Sequence, residues 1–179
     1  MSIIHRLAQP DDLNGLLALY RELRPQDAPL RSDDARRTLQ RLLDDPAIRL
    51  VVAAEEEQPI ATCMLALIPG LAHQAQPFGV IEHVVTAEPY RGHGVALAMI
   101  EYALQLAWRK GCYKVMLLSG QQRTGAHQLY LKAGFDGDRE RGFVIRRPGG
   151  PIAACRKRAG RQAGYSLSFF ARRASFWRR

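Results

Sequence analysis

One acidic residue, Glu82, interrupts an otherwise apolar run from Gly79 to Thr86 (GVIEHVVT), and a carboxylate so placed is a candidate for moving a proton. Strand alternation from Val80 to Thr86 puts Glu82 on the face of Val80 and Val84, where it would be desolvated, and turns His83 to the other face. Just downstream, Arg91-Gly92-His93-Gly94-Val95-Ala96 opens a helix with apolar spacing that runs to Lys110. A strand that empties through a glycine loop into a helix N-terminus presents unpaired N–H groups backed by the positive end of the helix dipole, which is an anion site. Two phosphate motifs fail here. A dinucleotide fingerprint needs a third glycine where Leu97 stands, and the Gly-Lys-Ser/Thr of a P-loop occurs nowhere in the chain.

The elements that must position these residues follow from periodicity. Ile3 to Leu7 reads as a first strand. Pro10-Asp11-Asp12 opens a helix to about Arg24, apolar at Leu13, Leu16, Leu17, Tyr20 and Leu23. Ser32 is a candidate N-cap for a second helix, apolar at Ala35, Leu39, Leu42 and Leu43, which stops before Pro46. Ile48–Glu55 and Ile60–Ile68 form a hairpin across the polar turn Glu56 to Pro59, and a loop from Pro69 to Pro77 leads to the central strand. The long helix is expected to bury Leu97, Ile100, Leu104 and Trp108 and to end at Gly111. A strand Tyr113 to Leu118, a helix from Ala126 and a last hairpin from Phe135 to Ile145 complete the domain.

The stretch Arg91 to Ala96 fits Arg/Gln-x-x-Gly-x-Gly/Ala, and Ala126 to Phe135 (AHQLYLKAGF) fits Ala-x-x-x-Tyr-x-x-x-Gly-Phe. In this order and separation the chain resembles the GCN5-related N-acetyltransferase (GNAT) family across about Gly79 to Phe135. The resemblance implies an α/β (α+β) fold: a central mixed, twisted sheet of about six to seven strands, helices on both faces, and a splay between the central strands. It implies acetyl-coenzyme A as acetyl donor, a small-molecule amine as acceptor and direct attack in a ternary complex. Arg91, Gly92, His93, Gly94, Val95 and Ala96 would wrap the pyrophosphate. Val84, Val85 and Thr86 would grip the pantetheine and the thioester carbonyl. Tyr130 would protonate the departing thiolate, the alternative being a packing role. Glu82 would take the ammonium proton through water; otherwise it binds the ammonium or pairs with a structural arginine. Where many relatives carry an asparagine seven residues before the tyrosine, this chain has Arg123, which could reach the cofactor phosphates instead. The same stretch resembles glucosamine-6-phosphate N-acetyltransferases, which leaves the amine open among aminosugar phosphates, aminoalkylphosphonates and polyamines. A protein lysine as acceptor, and a non-catalytic acetyl-coenzyme A-binding or RNA- or membrane-tethered module, are the alternatives. Members are often homodimers.

Composition narrows the classes. The net charge of +9 invites a nucleic-acid reading, but ten of the 26 Lys and Arg and none of the 17 Asp and Glu lie in residues 146–179. Residues 1–145 are therefore near neutral, and the basicity belongs to an extension (149–179) of the acetyltransferase domain (1–148). Phe169, Phe170, Phe176 and Trp177 among its arginines could contact RNA or an anionic membrane, the alternative being a poorly ordered tail. Cys63, Cys112 and Cys155 show no Cys-x-x-Cys spacing, and the five histidines are scattered, so no metal site is expected. The N-terminus lacks a signal-like apolar run, and no stretch approaches the ~20 apolar residues of a membrane span. A cytoplasmic protein is the expectation.

Overall fold

The computed structural model describes residues 2–145. The readings made for residues 146–179, including the aromatic positions and Cys155, lie outside the described residues.

A single sheet has strand order β1-β2-β3-β4-β5, formed by Ile3–Leu7, Ile48–Glu55, Gln58–Ile68, Phe78–Thr86 and Val115–Leu117. The first four strands pair antiparallel and β5 runs parallel to β4. The β2–β3 hairpin closes on Glu56 and Glu57, whose φ of 47° and 67° are the double left-handed pair that matches strand twist. Between strands lie α1 (Leu13–Leu23), α2 (Ser32–Asp44), α3 (Ala72–Ala75) and α4 (Val95–Arg109), and α5 (Thr124–Lys132) follows β5.

The two faces of the sheet bury separate cores. On one, Ala8, Leu16, Leu39, Leu50 and Val52 pack under α1 and α2; on the other, Val51, Ala53, Cys63, Leu65 and Ile81 pack under Met99, Ile100, Ala103 and Ala107 of α4. Cys63 and Cys112 are free and buried, as core residues should be. A bidentate ion pair fixes the entry to α1. Arg6 donates from Nη1 to Asp12 Oδ2 at 2.6 Å and from Nη2 to Oδ1 at 2.9 Å, while Gln9 N–H donates to the same carboxylate at 2.7 Å.

Several expectations are corrected. The helix begun by Pro10 is a 3-10 turn (Pro10–Asp12) that passes into α1 at Leu13. Ser32 is the first helical residue of α2, and Arg31 holds the capping position with extended φ/ψ. The Pro69 to Pro77 loop is present as expected, and the short segment α3 within it is a single turn in which His73, Gln74 and Ala75 take left-handed φ and the His73 ring stacks on Tyr113 at 3.8 Å. The stripe of α4 is Val95, Met99, Ile100, Ala103 and Ala107, and Trp108 is half exposed. Ile100 is buried as expected and Leu104 packs at the edge of the core, while the small Ala103 and Ala107 let the helix approach the sheet.

The final hairpin does not form among the described residues, where the sheet has five strands instead of six or seven. Asp136 to Arg141 places five charged residues in six, and Asp138 N–H bonds locally to Asp136 Oδ1 at 2.9 Å instead of joining a ladder.

Candidate active site

The strand β4 is irregular where chemistry was expected. His83 has φ of +55°, and the β3–β4 register shifts between Thr62 and Met64, so His83 is a bulge. The bulge breaks the alternation on which the placement of Glu82 rested. Glu82 pairs with Met64, which packs on the α1–α2 face, whereas Val84 packs against the α4 core. Glu82 thus shares a face with Val80 but not with Val84, and it is half-buried. His83 does not turn to the opposite face: it is exposed, and its ring meets Tyr20 of α1 edge-on at 5.9 Å.

The expected splay is present. Pairing of β4 with β5 covers only Gly79 to Ile81 with Val115 to Leu117, while β4 stays paired with β3 up to Thr86. Ala87 N–H donates to Ile60 O on the β3 side at 2.8 Å, so alternation directs the polar groups of Thr86 and Val84 into the gap and those of Val85 towards β3. Of the three residues assigned to grip a cofactor, Val84 and Thr86 have open backbone groups on that side. The Thr86 carbonyl is already taken, since it accepts Arg91 Nε at 2.9 Å.

Beyond β4, the 3-10 turn Glu88–Tyr90 delivers the chain to the glycine loop. Gly92 and Gly94 both have φ of +81°, a conformation costly for other residues, and a Cβ at either would meet open space. The first helical bond of α4 runs from Ala98 N–H to Gly94 O at 3.1 Å, which leaves the N–H groups of Gly94, Val95, Ala96 and Leu97 free of helical partners at the positive end of the dipole. His93 is exposed and the Val95 side chain is in the core. Arg91 does not point freely at this cradle. Its Nη2 bonds Glu22 Oε2 of α1 at 2.8 Å, and the same oxygen accepts Glu88 N–H at 3.1 Å.

The tyrosine motif has a local explanation. Gly134, at φ of +90°, donates N–H to Leu131 O, and Phe135 N–H donates to Tyr130 O, both at 3.0 Å. This is the paired-bond ending in which glycine follows the helix and the next residue packs back on the residue five before it; Phe135 and Tyr130 rings meet edge-on at 6.2 Å. The Tyr-x-x-x-Gly-Phe spacing therefore fixes the end of α5 and the tyrosine together. Tyr130 is half-buried, and burial pushes its phenol above the usual range. The nearby Arg123 charge pulls it down, while Cys63 and Glu82 push it further up. Arg123 sits at the position that caps α5 and is exposed. His127 Nε2 lies 3.0 Å from Gly120 O and pins the preceding loop.

The comparisons agree with this geometry. The acetyltransferase (GNAT) family pattern matches residues 14–135. The chain belongs to this family. A putative acetyltransferase from Agrobacterium tumefaciens is similar in structure, with TM-score 0.77 and 38% identity over 82% of this chain and 100% of that one. A glucosamine 6-phosphate N-acetyltransferase of Trypanosoma brucei brucei is 33% identical over 76 residues, 42% of this chain and 50% of that protein. An N-alpha-acetyltransferase of Arabidopsis thaliana is 31% identical over 74 residues, 41% of this chain and 39% of that protein. The chain thus spans half or less of the length of these two curated relatives.

Sequence reasoning put Tyr20 on the apolar face of α1 without its contact to His83, and missed Glu22. An acid in the last turn of a helix faces the negative end of the dipole, and that local mismatch in α1 was the available signal for Glu22.

Proposed function

We propose that the chain transfers an acetyl group from acetyl-coenzyme A to a primary amine of a small molecule, with both substrates held at once. The observation that carries the reading is the gap between β4 and β5, which leads into the glycine-lined N-terminus of α4 and whose strand bears Glu82 within electrostatic reach of Tyr130. The open space over Gly92 and Gly94 and the free N–H groups of Gly94 to Leu97 suit a pyrophosphate. Val84 and Thr86 N–H groups suit the pantetheine and the thioester carbonyl, whose oxygen gains negative charge during attack. The thioester supplies the activated acetyl group.

In the reaction a C–N bond forms, the C–S bond breaks, and one proton must leave the amine while another reaches the sulfur. Glu82 holds the incoming ammonium or takes its proton through water. Tyr130 is well suited to donate, because its phenol stays protonated through neutral pH, and a coenzyme A thiolate in contact with it is basic enough to accept. Arg123 stands close enough to Tyr130 to add positive charge on this side of the site.

The two curated relatives are named for acetylating an aminosugar phosphate and an α-amine, and a primary amine is what these have in common. Glucosamine 6-phosphate is therefore the first acceptor to try, followed by aminoalkylphosphonates and polyamines. Calorimetric titration of acetyl-coenzyme A into the full chain, followed by thiol release against that series, tests the reading. Saturable binding and amine-dependent release are expected; absence of binding would sink it.

A further inference from the structure

We propose that Glu22 is a positioning residue that holds the cofactor loop in its binding shape and couples it to the segment between α1 and α2. The inference rests on the reading of residues 91–96 as a coenzyme A loop. Glu22 lies next to the last residue of α1, where its charge is unfavourable to the helix itself. Its partners are elsewhere. One oxygen, Oε2, accepts the otherwise unbonded Glu88 N–H that opens the 3-10 turn, at 3.1 Å, and Arg91 Nη2 at 2.8 Å. Arg91 is held at its other end by the Thr86 carbonyl at 2.9 Å. The turn from Thr86 to Arg91 is thereby closed on itself and bolted to α1.

The side chains of Arg91 and Glu22 are 54% and 37% exposed, so their Coulomb attraction alone is weak. The effect of the bond is on shape: it sets where the chain enters Gly92 to Gly94. The same last turn of α1 also presents Tyr20 against the His83 bulge at 5.9 Å. Residues 24–31 follow directly, tied back by Arg24 N–H to Tyr20 O at 2.9 Å, so a ligand held by this segment acts on α1 at the point where it grips both the bulge and the cofactor loop. Coupling of this kind is reciprocal, and coenzyme A should in turn raise the protection of residues 24–31.

The test uses the full chain as wild type, Glu22→Gln and Glu22→Ala, with coenzyme A as the probe, read by calorimetry and by hydrogen exchange of residues 24–31. The amide of Glu22→Gln keeps an oxygen for both donors and removes a negative charge beside an anion site, so affinity should stay within about twofold or tighten. Glu22→Ala should weaken coenzyme A binding about five- to tenfold, the size expected for losing a charge-assisted bond and a backbone bond. Protection of residues 24–31 on adding coenzyme A should appear in wild type and Glu22→Gln and vanish in Glu22→Ala. Wild-type affinity or retained protection in Glu22→Ala overturns the proposal. Failure of wild type to bind coenzyme A overturns the loop reading, and the proposal with it.

Discussion

Replacing Tyr130 by Phe separates the two reasons for a tyrosine at this position. The ring is needed for the end of α5, because it packs on Phe135 at 6.2 Å where the Gly134 ending folds back. Phe preserves that contact. Among the described residues the phenol oxygen has no hydrogen-bond partner, so removing it should change stability by no more than about 0.5 kcal/mol. A positioned proton donor contributes about 10²- to 10⁴-fold to turnover, or roughly 3–5 kcal/mol in the barrier. Tyr130→Phe should therefore unfold at the wild-type temperature, bind acetyl-coenzyme A normally and lose at least about a hundredfold in kcat. The pH profile adds a second readout. Burial holds the phenol above its ordinary range, so Tyr130 keeps its proton through neutral pH and loses it only in strong alkali. Wild-type kcat should fall only at strongly alkaline pH, and Tyr130→Phe should lack that fall. Turnover within about threefold of wild type, with unchanged unfolding, would leave Tyr130 a packing residue and remove it from the mechanism.

Two further outcomes concern stability. Asp12 is 2% exposed and accepts three bonds, two from Arg6 and one from Gln9 N–H. Asp12→Ala removes the bidentate partner of Arg6, which keeps only Leu7 O at 3.2 Å and Glu57 Oε2 at 3.5 Å, and should cost about 2 kcal/mol, read as a Tm lowered by roughly 4–8 °C; a drop under about 2 °C would contradict it. Burial holds the Cys63 thiol up from 9.0 to about 12 and the Tyr20 phenol up from 10.0 to about 12. Both groups bind their protons more tightly folded than unfolded, so their stabilisation is complete below pH 9 and is lost as pH rises towards 12. Denaturant midpoints should fall from pH 9 upward in wild type and less steeply between pH 9 and 10 in Cys63→Ala, where the Cys112 thiol, also held up by burial, still contributes; parallel pH profiles for the two proteins would refute the assignment.

The strand, loop and helix of the candidate site were legible because they are local. Strand, loop and helix from Phe78 to Arg109 are contiguous, and the glycines at positive φ mark the turns that the loop and α5 require. The β2 strand fell where alternation and turn chemistry put it, at Ile48–Glu55. What was not legible was non-local or unmarked. A histidine at positive φ leaves no trace in the sequence, so the bulge was missed and Glu82 was assigned the wrong companion. Apolar residues surround α4, and periodicity could not choose between Leu97, Leu104 and Trp108 and the alanine-containing stripe that is buried. Glu22 meets Arg91 across 69 residues of chain, a contact no pattern reports. The last hairpin failed because its charges and the local Asp136 bond outweighed a short apolar run at Phe143 to Ile145.

The bulge and the splay belong to one argument about what a sheet can offer a substrate. If β5 continued beside the bulged strand, the N–H groups of Val84 and Thr86 would be bonded to it, and no donor would face a carbonyl lying between the strands. Ending the pairing at Ile81 and Leu117 frees those groups while β3 still holds β4 from its other edge up to Thr86. The bulge at His83 falls between the paired and the open part of β4 and changes which face follows. Glu82 emerges towards α1, and Val84 packs towards α4. On the proposed reading, the proton acceptor for the amine lies two residues from one donor for the carbonyl and four from the other, the carboxylate on one face of the strand and the amides in the gap at its edge. An amine and a thioester approaching from different sides would need such an arrangement, and a regular strand could not supply it, because its alternation would keep the Glu82 and Val84 side chains on one face.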